Sequence, residues 1–220
     1  MFTGIVQACL PVTSIETKPG LTTLGLPMLP VLGDDLQMGA SVAVDGVCLT
    51  VCRMEGELAY FDAMVETLQK TSLGQVAEGK KVNVERSMKV GDEIGGHVLS
   101  GHVMTTATIV KVDDTENNRA VTFQVDPSWM KYIFPKGFIA LDGASLTIVD
   151  VDKEQGTFSV YFIPETLRLT VFGFKGVGDK VNVELDAQTQ AIVDTVENVL
   201  QDSLKGTIQS LLNDGAIKLS

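Results

Sequence analysis

The chain has 220 residues, a length that fits one large domain or two domains of about 100 residues each. With 45% hydrophobic and 20% charged residues it can bury a core, which excludes an intrinsically disordered protein. The 28 acidic and 17 basic residues give a net charge of −11, and without a basic run this charge argues against a nucleic-acid partner. No stretch has the length of a membrane span, and the N-terminus lacks the features of a signal peptide. The three cysteines have no metal-binding spacing, which predicts free thiols in a reducing cytoplasm.

An internal repeat organises the sequence. The run AVDGVCLTV that begins at Ala43 returns as ALDGASLTI from Ala140, 97 positions later. The run GKKVNVE returns as GDKVNVE, 99 positions later, and TGIV and ETL return in the same order as SGHV and ETL. We therefore predict a tandem duplication with a boundary near residue 95. The change of offset predicts a two-residue insertion in the second copy, near residues 154–156.

Each half is predicted to consist of β-strands. In the first half, residues 41–51 alternate around a turn at Asp45-Gly46, and residues 58–62 and 82–85 are short β-rich runs between turns that contain glycine. The ETL block fits a helical turn. Strands separated by turns, with no amphipathic helix between them, indicate a small antiparallel barrel or sandwich in each half.

The pattern changes from Gln188 onward. Apolar residues recur there at helical spacing between polar ones, which predicts an amphipathic helix. The stripe consists of Val193, Val196, Leu200 and Leu204. We expect Gly206 to interrupt this helix and the last residues to be frayed. The stripe has two candidate partners, its own barrel or copies of the same helix, and the role of the tail after Ser203 is left open.

Two histidines lie at the junction of the repeats, in GGHVLSGHV. A zinc site needs three or four ligands, and no further histidine exists, so His97 and His102 predict no metal. We interpret His97 as a structural histidine. His102 takes the place of Ile5 in the other copy, so a group that can carry a proton stands where the repeat has an apolar side chain. A functional and a structural role are both open for His102.

The remaining candidates are thiols and carboxylates. Cys48, Thr50 and Cys52 point to one side of a strand, and the second copy has Ser145 in the place of Cys48. Packing is the favoured interpretation for Cys52, whereas Cys48 is left open between packing and nucleophilic chemistry. No dinucleotide fingerprint, phosphate loop or GxSxG elbow is present. Four carboxylates near strand ends are predicted to be solvated: Asp62, Glu66, Glu165 and Asp186.

Several motifs together resemble the riboflavin synthase family: MFTGIV, VDGVCLTV, FDAMVETLQKTSLG, GKKVNVER, GGHVLSGHV, KGFIALDGASLTIV, FIPETLRLT and KVNVELDAQTQAIVDTVE. The resemblance covers Met1 to about Leu204. It implies an all-β chain of two tandem homologous six-stranded antiparallel β-barrels plus a C-terminal α-helix. The implied domains are residues 1–95 and 96–187, each a lumazine-binding barrel, and residues 188–220, a helix for trimerisation.

The resemblance also implies the activity. Members of the family are transferases that catalyse the last step of riboflavin biosynthesis, and they need neither a metal nor a cofactor. Two molecules of 6,7-dimethyl-8-ribityllumazine are dismutated to riboflavin and 5-amino-6-(D-ribitylamino)uracil by transfer of a four-carbon unit. Each barrel binds one lumazine, and the active site forms where the N-terminal barrel of one subunit faces the C-terminal barrel of the next in a homotrimer.

Site residues follow from the resemblance as well. Residues expected near the reacting carbons are Phe2, Ser41, Cys48, His102, Thr147 and Asp186. The N-terminal pocket is expected to be lined by Gly4, Ile5, Val6, Cys48, Leu49, Thr50, Asp62, Ala63, Met64, Val65, Glu66 and Thr67. The C-terminal pocket is expected to be lined by Gly101, His102, Val103, Lys136, Ser145, Leu146, Thr147, Phe162, Ile163, Pro164, Glu165 and Thr166.

His102 is the expected proton shuttle, with Ser41 or Cys48 near the attacked carbon, and the identities of base and nucleophile are open, water included. The chief alternative is a non-enzymatic antenna protein of luminous bacteria, which is similar in sequence and binds one chromophore without turnover. The antenna proteins are altered at the VCLTV, GGHVLSGHV and ETL motifs that this chain keeps, which favours the synthase. Nucleic acid and membrane are not expected partners, and an association with lumazine synthase is left open.

Overall fold

The computed structural model describes residues 1–33, 35–116 and 118–213. Residues Met1–Asp186 form one compact unit, which contains every strand of the described chain, and the residues from Ala187 form a second unit. The strands fall into two sets, one in each half of the sequence, which confirms the predicted duplication of an all-β fold.

The first half forms a seven-stranded antiparallel sheet. Its strands are β1 (Ala8–Pro11), β2 (Ser14–Lys18), β3 (Leu21–Leu26), β4 (Ser41–Val44), β5 (Val47–Glu55), β6 (Leu58–Met64) and β7 (Lys81–Arg86). They pair in the order β1-β7-β4-β5-β6-β3-β2. Two short helices interrupt them, α1 (Leu29–Leu32) and α2 (Val65–Lys70). Helix α2 is the helical turn predicted for the first ETL block.

The second half forms a closed six-stranded barrel. Its strands are β8 (Thr105–Asp114), β9 (Arg119–Gln124), β10 (Phe138–Leu141), β11 (Ala144–Asp152), β12 (Thr157–Phe162) and β13 (Lys180–Leu185). They pair in the order β10-β11-β12-β9-β8-β13, and β13 pairs back onto β10. Helix α3 (Pro164–Leu169) follows β12 as α2 follows β6.

The first sheet has seven strands and is not closed, where six in a closed barrel were expected. The strand order is the same in both halves, but β1 and β2 together occupy the place of the single strand β8. Strand β8 pairs with β13 and with β9, and Thr108 takes part in both ladders. The equivalent residue is Pro11, which has no N–H to donate, so the strand is interrupted there. Val12 then bonds back to Lys80 and Thr13 bonds forward to Gly25.

Side chains alternate between the core and the outer face along the strands. In β5, Val47, Leu49 and Val51 are buried, whereas Thr50 and Cys52 are exposed. Each half has its own apolar core, and a small third cluster of Phe2, Ala43, Leu99 and Ala140 lies apart from both.

The structure has a tight turn at Asp45-Gly46, where the sequence predicted one. Asp45 and Gly46 both have positive φ angles, 44° and 78°, as in the two-residue hairpin turns that suit twisted strands. The equivalent pair in the second half is Asp142-Gly143, with 43° and 78°. The loop between β11 and β12 has two residues more than the loop between β5 and β6, which places the predicted insertion at residues 153–156.

The two turns also join the halves. Asn83 donates from its side chain to the carbonyl oxygen of Asp142 (2.9 Å), and Asn182 donates to that of Asp45 (2.8 Å). The backbone N–H of Asn83 donates to the carboxylate of Asp45, and that of Asn182 donates to Asp142. The reciprocal bonds relate the repeats by an approximate twofold arrangement. Lys175 breaks the symmetry, because its ammonium lies 2.5 Å from the Asp142 carboxylate.

The C-terminal unit is the helix α4 (Ala187–Asn213). It continues through Gly206, so the expected interruption there is wrong. The cost of one glycine in a helix is about 1 kcal/mol relative to alanine, which a long helix tolerates. Residues 214–220, expected to be frayed, lie outside the described residues. Among the described residues, no helix is long and apolar enough to span a membrane.

Two equivalent candidate pockets

Two segments, residues 2–6 and residues 99–103, cross from one half of the first unit to the other, and we call them the first and second crossing segments. Phe2 and Leu99 exchange backbone hydrogen bonds of 2.9 Å in both directions, which pairs the N-terminal segment with the segment that links the halves. Beyond this bridge, Val6 packs in the core of the second barrel and Val103 packs against the core of the first. Each barrel is therefore completed by a segment that precedes the other barrel in the chain.

A glycine in each crossing segment lies against a strand. Ser145 donates its backbone N–H to the carbonyl oxygen of Gly4 (2.8 Å), and Cys48 donates to that of Gly101 (2.9 Å). Both glycines have positive φ angles, 74° and 80°. A Cβ on Gly4 would lie 2.5 Å from the Cβ of Ser145, and one on Gly101 would lie 2.6 Å from the Cβ of Cys48. Only glycine fits here, because any side chain would collide with the strand.

Two buried glutamates hold the crossing segments. The Glu85 carboxylate accepts from the N–H (2.6 Å) and hydroxyl (2.8 Å) of Thr3, and Glu184 accepts in the same way from Ser100 (2.7 and 2.8 Å). Each also accepts the N–H of the next glycine. Burial raises the pKa of both glutamates, and these hydrogen bonds oppose it by favouring the charged form.

One pocket of about 280 Å³ lies on the first barrel. Its walls come from the start of β5, from α2 and the residue after it, and from the second crossing segment. The lining residues are Val47, Cys48, Glu66, Thr67, Lys70, Thr71, Gly101, His102 and Val103.

A second pocket of about 200 Å³ is built from the equivalent elements of the second barrel. Its walls come from the start of β11, from α3 and the residue after it, and from the first crossing segment. The lining residues are Gly4, Ile5, Val6, Ala144, Ser145, Glu165, Thr166, Leu169 and Thr170.

Two of the predicted segments therefore line the pocket opposite to the one expected from the sequence. Residues 4–6 were grouped with the first barrel and residues 101–103 with the second, but each lies at the pocket of the other barrel. Backbone hydrogen bonds hold each segment there, from Ser145 to Gly4 in the second barrel and from Cys48 to Gly101 in the first.

The other predicted site residues occupy three environments. Residues with side chains in the cores or in the small third cluster are Phe2, Leu49, Ala63, Leu146 and Phe162. Exposed residues outside the two pocket linings are Thr50, Asp62, Met64, Val65, Lys136, Thr147, Ile163 and Pro164. Ser41 and Asp186 are half-buried.

A glutamate lines each pocket and pairs with a basic side chain of the same helix. Glu66 pairs with Lys70 (2.6 Å) on α2, and Glu165 pairs with Arg168 (2.7 Å) on α3. These hydrogen bonds lower the pKa of both glutamates. Because all four side chains are largely exposed, the pairs contribute little to stability and remain free to exchange partners with a ligand.

The two histidines have different surroundings. His102 is exposed at the first pocket, at the position that Ile5 occupies in the second. His97 is buried, and its Nδ1 lies 2.6 Å from the hydroxyl of Ser145. Among the described residues, no group of three His, Cys, Asp or Glu side chains is placed to hold a metal ion.

Packing was the wrong interpretation for Cys52. Its side chain is exposed, and its thiol donates to the carbonyl oxygen of Tyr60 (3.3 Å). Partial burial and the neighbouring Asp62 carboxylate raise the pKa of this thiol, which makes it a weak nucleophile. Asp62 itself accepts a 2.6 Å hydrogen bond from the hydroxyl of the buried Thr23.

Sequence reasoning missed several residues of the site. Glu85 and Glu184 anchor the crossing segments, and Lys70 and Leu169 line the pockets. The signal for the two anchors was in the repeated runs KVNVE, where an acidic residue follows three apolar or amide residues at a buried strand position in both copies.

Comparison with known proteins identifies the class. The family model of the lumazine binding domain matches residues 3–87 and 100–186, one copy for each half of the first unit. The crystal structure of LumP complexed with riboflavin covers 84% of this chain and 100% of that chain, with a TM-score of 0.79 at 24% identity, which establishes a shared fold. The chain is a protein of two lumazine-binding domains.

Sequence relatives narrow the class to one family. Riboflavin synthase of Escherichia coli (strain K12) is 51% identical over 201 residues, which cover 91% of this chain and 93% of that protein. Riboflavin synthase of Chlamydia pneumoniae is 44% identical and covers 93% of this chain and 100% of its own length. This chain belongs to the riboflavin synthase family.

Proposed function

We propose that this protein catalyses the dismutation of two molecules of 6,7-dimethyl-8-ribityllumazine to riboflavin and 5-amino-6-(D-ribitylamino)uracil. The observation that carries the proposal is the presence of two pockets built from the same elements in one chain of this family. A reaction between two identical molecules needs two similar holders, and repeated barrels supply them. Holding both rings in a reactive geometry removes much of the entropic barrier to a bimolecular step.

The two pockets differ in the side chains at two equivalent positions. One lumazine must donate a four-carbon unit and the other must accept it, and a chemical difference between the two holders would fix which molecule takes which role. The first pocket has Cys48 and His102 where the second has Ser145 and Ile5. These two exchanges give one pocket a thiol and an imidazole, and the other a hydroxyl and an apolar side chain.

Proton transfer begins the proposed reaction. Removal of a proton from the C7 methyl group of one lumazine leaves a carbanion delocalised over its ring, which hydrogen-bond donors around the ring oxygens stabilise. The other lumazine is attacked at C7, and the four-carbon unit then moves between the rings. The two products contain all the atoms of the two substrates, so no external oxidant or reductant is required.

Residue roles follow from position. We assign His102 to proton transfer, because it is an exposed imidazole at the first pocket. Cys48 lines the same pocket, which favours it as the group near the attacked carbon over Ser41, whose strand partner Thr50 lies outside the pocket lining. The resemblance, and not a place in either pocket lining, adds Phe2, Thr147 and Asp186 to the proposed set near the reacting carbons.

The proposed assembly is a homotrimer. Helix α4 carries exposed apolar side chains at Val196, Leu200 and Leu204, a stripe suited to copies of itself. In the trimer, the first pocket of one subunit faces the second pocket of its neighbour, which brings two lumazines together. The proposed location is the cytoplasm, consistent with three free cysteines. An association with lumazine synthase stays a prediction.

An absorbance time course tests the activity. Purified protein is mixed with 6,7-dimethyl-8-ribityllumazine and followed at visible wavelengths where riboflavin absorbs and the lumazine does not. We expect one riboflavin for every two lumazines consumed. Lumazine that is bound and fluorescent but never consumed would instead make the protein a chromophore carrier, as in the antenna proteins.

A further inference from the structure

His97 occupies a specific place behind the second pocket. Its side chain is 8% exposed, and its ring stacks on Phe138 with the centroids 5.1 Å apart. Its Nδ1 lies 2.6 Å from Oγ of Ser145, a residue that lines the second pocket. The imidazole therefore reaches the second pocket only through the hydroxyl of Ser145.

Ser145 is fixed from its other sides as well. Its backbone N–H donates to Gly4, and a Cβ on Gly96 would lie 2.6 Å from its Cβ. The residue in its place in the first pocket is Cys48, whose side chain packs with the apolar cluster of Phe2 and Leu99. The imidazole contact thus distinguishes the second pocket from the first.

The environment of the ring selects one tautomer. Nε2 of His97 is buried, and among the described residues no hydrogen-bond partner reaches it. A buried N–H without a partner is more costly and rarer than a buried acceptor without one, so the proton belongs on Nδ1. Burial lowers the pKa of His97, an effect that the charge of Asp186 opposes, and the ring is accordingly neutral at pH 7.

We propose that His97 is a positioning residue that orients the hydroxyl of Ser145. As the Nδ1–H tautomer, it donates to Oγ of Ser145 and so leaves the hydroxyl proton free to be donated to the ligand. The recognised group is an acceptor atom of the ring in the second pocket, a carbonyl oxygen or an unprotonated ring nitrogen. The inference rests on the proposed function in one respect, that the second pocket binds a lumazine or flavin ring.

The tautomer is tested on the unaltered protein. Long-range proton–nitrogen NMR spectra of histidine-labelled protein contain only two imidazoles, since the chain has two histidines. The signals of His102 are assigned by their absence in His102→Gln. We expect His97 to show a protonated Nδ1 and an unprotonated Nε2 at neutral pH. A proton on Nε2 would overturn the proposal, because Ser145 would then donate to the ring and not to a ligand.

A double-mutant cycle tests the coupling to the ligand. The probe is riboflavin, titrated by the change in its fluorescence on binding. Ser145→Ala identifies the binding step of the second pocket, and we expect it to weaken that step about tenfold, the size of one hydrogen bond. His97→Phe keeps a ring against Phe138 but cannot donate, and we expect an equal loss. The double variant should lose no more than either single variant.

A matched variant separates positioning from packing. His97→Asn places an amide N–H near the position of Nδ1, and we expect riboflavin affinity within about threefold of the unaltered protein, less than the loss of one hydrogen bond. Equal losses in the Asn and Phe variants, or additive losses in the double variant, would assign His97 to packing alone. None of these readouts uses turnover, so absence of riboflavin formation would refute the proposed function without deciding the role of His97.

Discussion

Single backbone positions decide whether a pocket exists at all. At Gly101 a positive φ angle and close contact with Cys48 occur together, so a side chain is excluded for two separate reasons. At Gly79 the φ angle is almost the same, 83° against 80°, but nothing lies within 4 Å of the added Cβ. The pair separates backbone strain from steric collision.

We predict that Gly101→Ala weakens lumazine binding, whereas Gly79→Ala lowers stability and leaves lumazine binding unchanged. Both variants bear the strain of an alanine at positive φ, of the order of 1–3 kcal/mol. Only Gly101→Ala pushes the crossing segment away from Cys48, so lumazine affinity should fall with it alone. Thermal unfolding and lumazine titration of both variants measure the two effects. Equal lumazine affinity in the two variants would contradict the geometry of the crossing segment.

A second prediction concerns His102. Its side chain is exposed, so His102→Gln should leave stability and lumazine affinity nearly unchanged. If it carries a proton in the reaction, turnover should fall by about 10²–10⁴, the usual contribution of general acid–base catalysis. Steady-state rates and ligand titration of the same preparation give both quantities. Unchanged turnover would remove His102 from the mechanism.

At the scale of single residues, the sequence indicated which residues belong to a pocket better than it indicated which residues they lie beside. Cys48 and Ser145 lie in the two pocket linings, with the glutamate and threonine of each ETL block, whereas their part in binding a ligand stays a prediction from the resemblance. The exchange of residues 4–6 and 101–103 could not be predicted, because alternation along a strand indicates a face of its own sheet and not which barrel a connecting segment lies against.

Among the elements, the duplicated strands show how one residue changes an architecture. Strand β8 belongs to two ladders, whereas Pro11 divides its equivalent into β1 and β2. The order of the strands is the same in both halves. Strand β1 pairs with β7 as β8 pairs with β13, and β2 pairs with β3 as β8 pairs with β9. The fold class was therefore predictable from pattern and turns, whereas the division between β1 and β2 falls at Pro11, which has no N–H to donate to a ladder.

The helix α4 leads to a prediction at the level of elements. Val196→Asp with Leu200→Asp places two charges in the apolar stripe, where burial in a trimer would be costly. We expect monomers with little activity, because the proposed active site needs two subunits. Asn198→Asp adds a charge on the opposite face of the helix and should leave the assembly intact. Sedimentation and turnover measure both variants, and an active monomer would refute the shared site.

In the molecule as a whole, the two halves meet through a pair of buried carboxylates. Asp142 has the ammonium of Lys175 beside it, whereas the equivalent of Lys175 in the first copy is Val76. Burial, with the charge of Asp142, raises the pKa of Asp45 to about 8. Asp45 is therefore protonated in the folded protein at neutral pH, although an unfolded aspartate ionises at about pH 3.9.

This difference predicts how stability depends on pH. Between about pH 4 and pH 8 the unfolded state releases the proton that folded Asp45 retains, so ionisation favours unfolding and stability falls as the pH rises. Asp45→Asn keeps the acceptor for Asn83 but cannot ionise, so its stability relative to the unaltered protein should increase across this range. Denaturant unfolding at several pH values tests this.

Asp142→Asn is the matched comparison. It leaves the Lys175 ammonium buried without its carboxylate, so it should destabilise the protein by about 3–5 kcal/mol, the cost of breaking a buried ion pair. If the two variants behaved alike, the halves would not meet in the asymmetric way that the structure describes.

The crossed segments also constrain the order in which a newly made chain can finish folding. As the chain leaves the ribosome, the first barrel can form its strands as soon as residue 86 has emerged, but its pocket stays incomplete until residues 101–103 follow. Residues 4–6, made first, can reach Glu85 of the first half early, but the second core in which Val6 packs and the pocket that these residues line are complete only after Leu185 has been made. The earliest part of the chain to be synthesised thus completes its contacts only near the end of synthesis, and neither pocket has its full lining while the other half is missing.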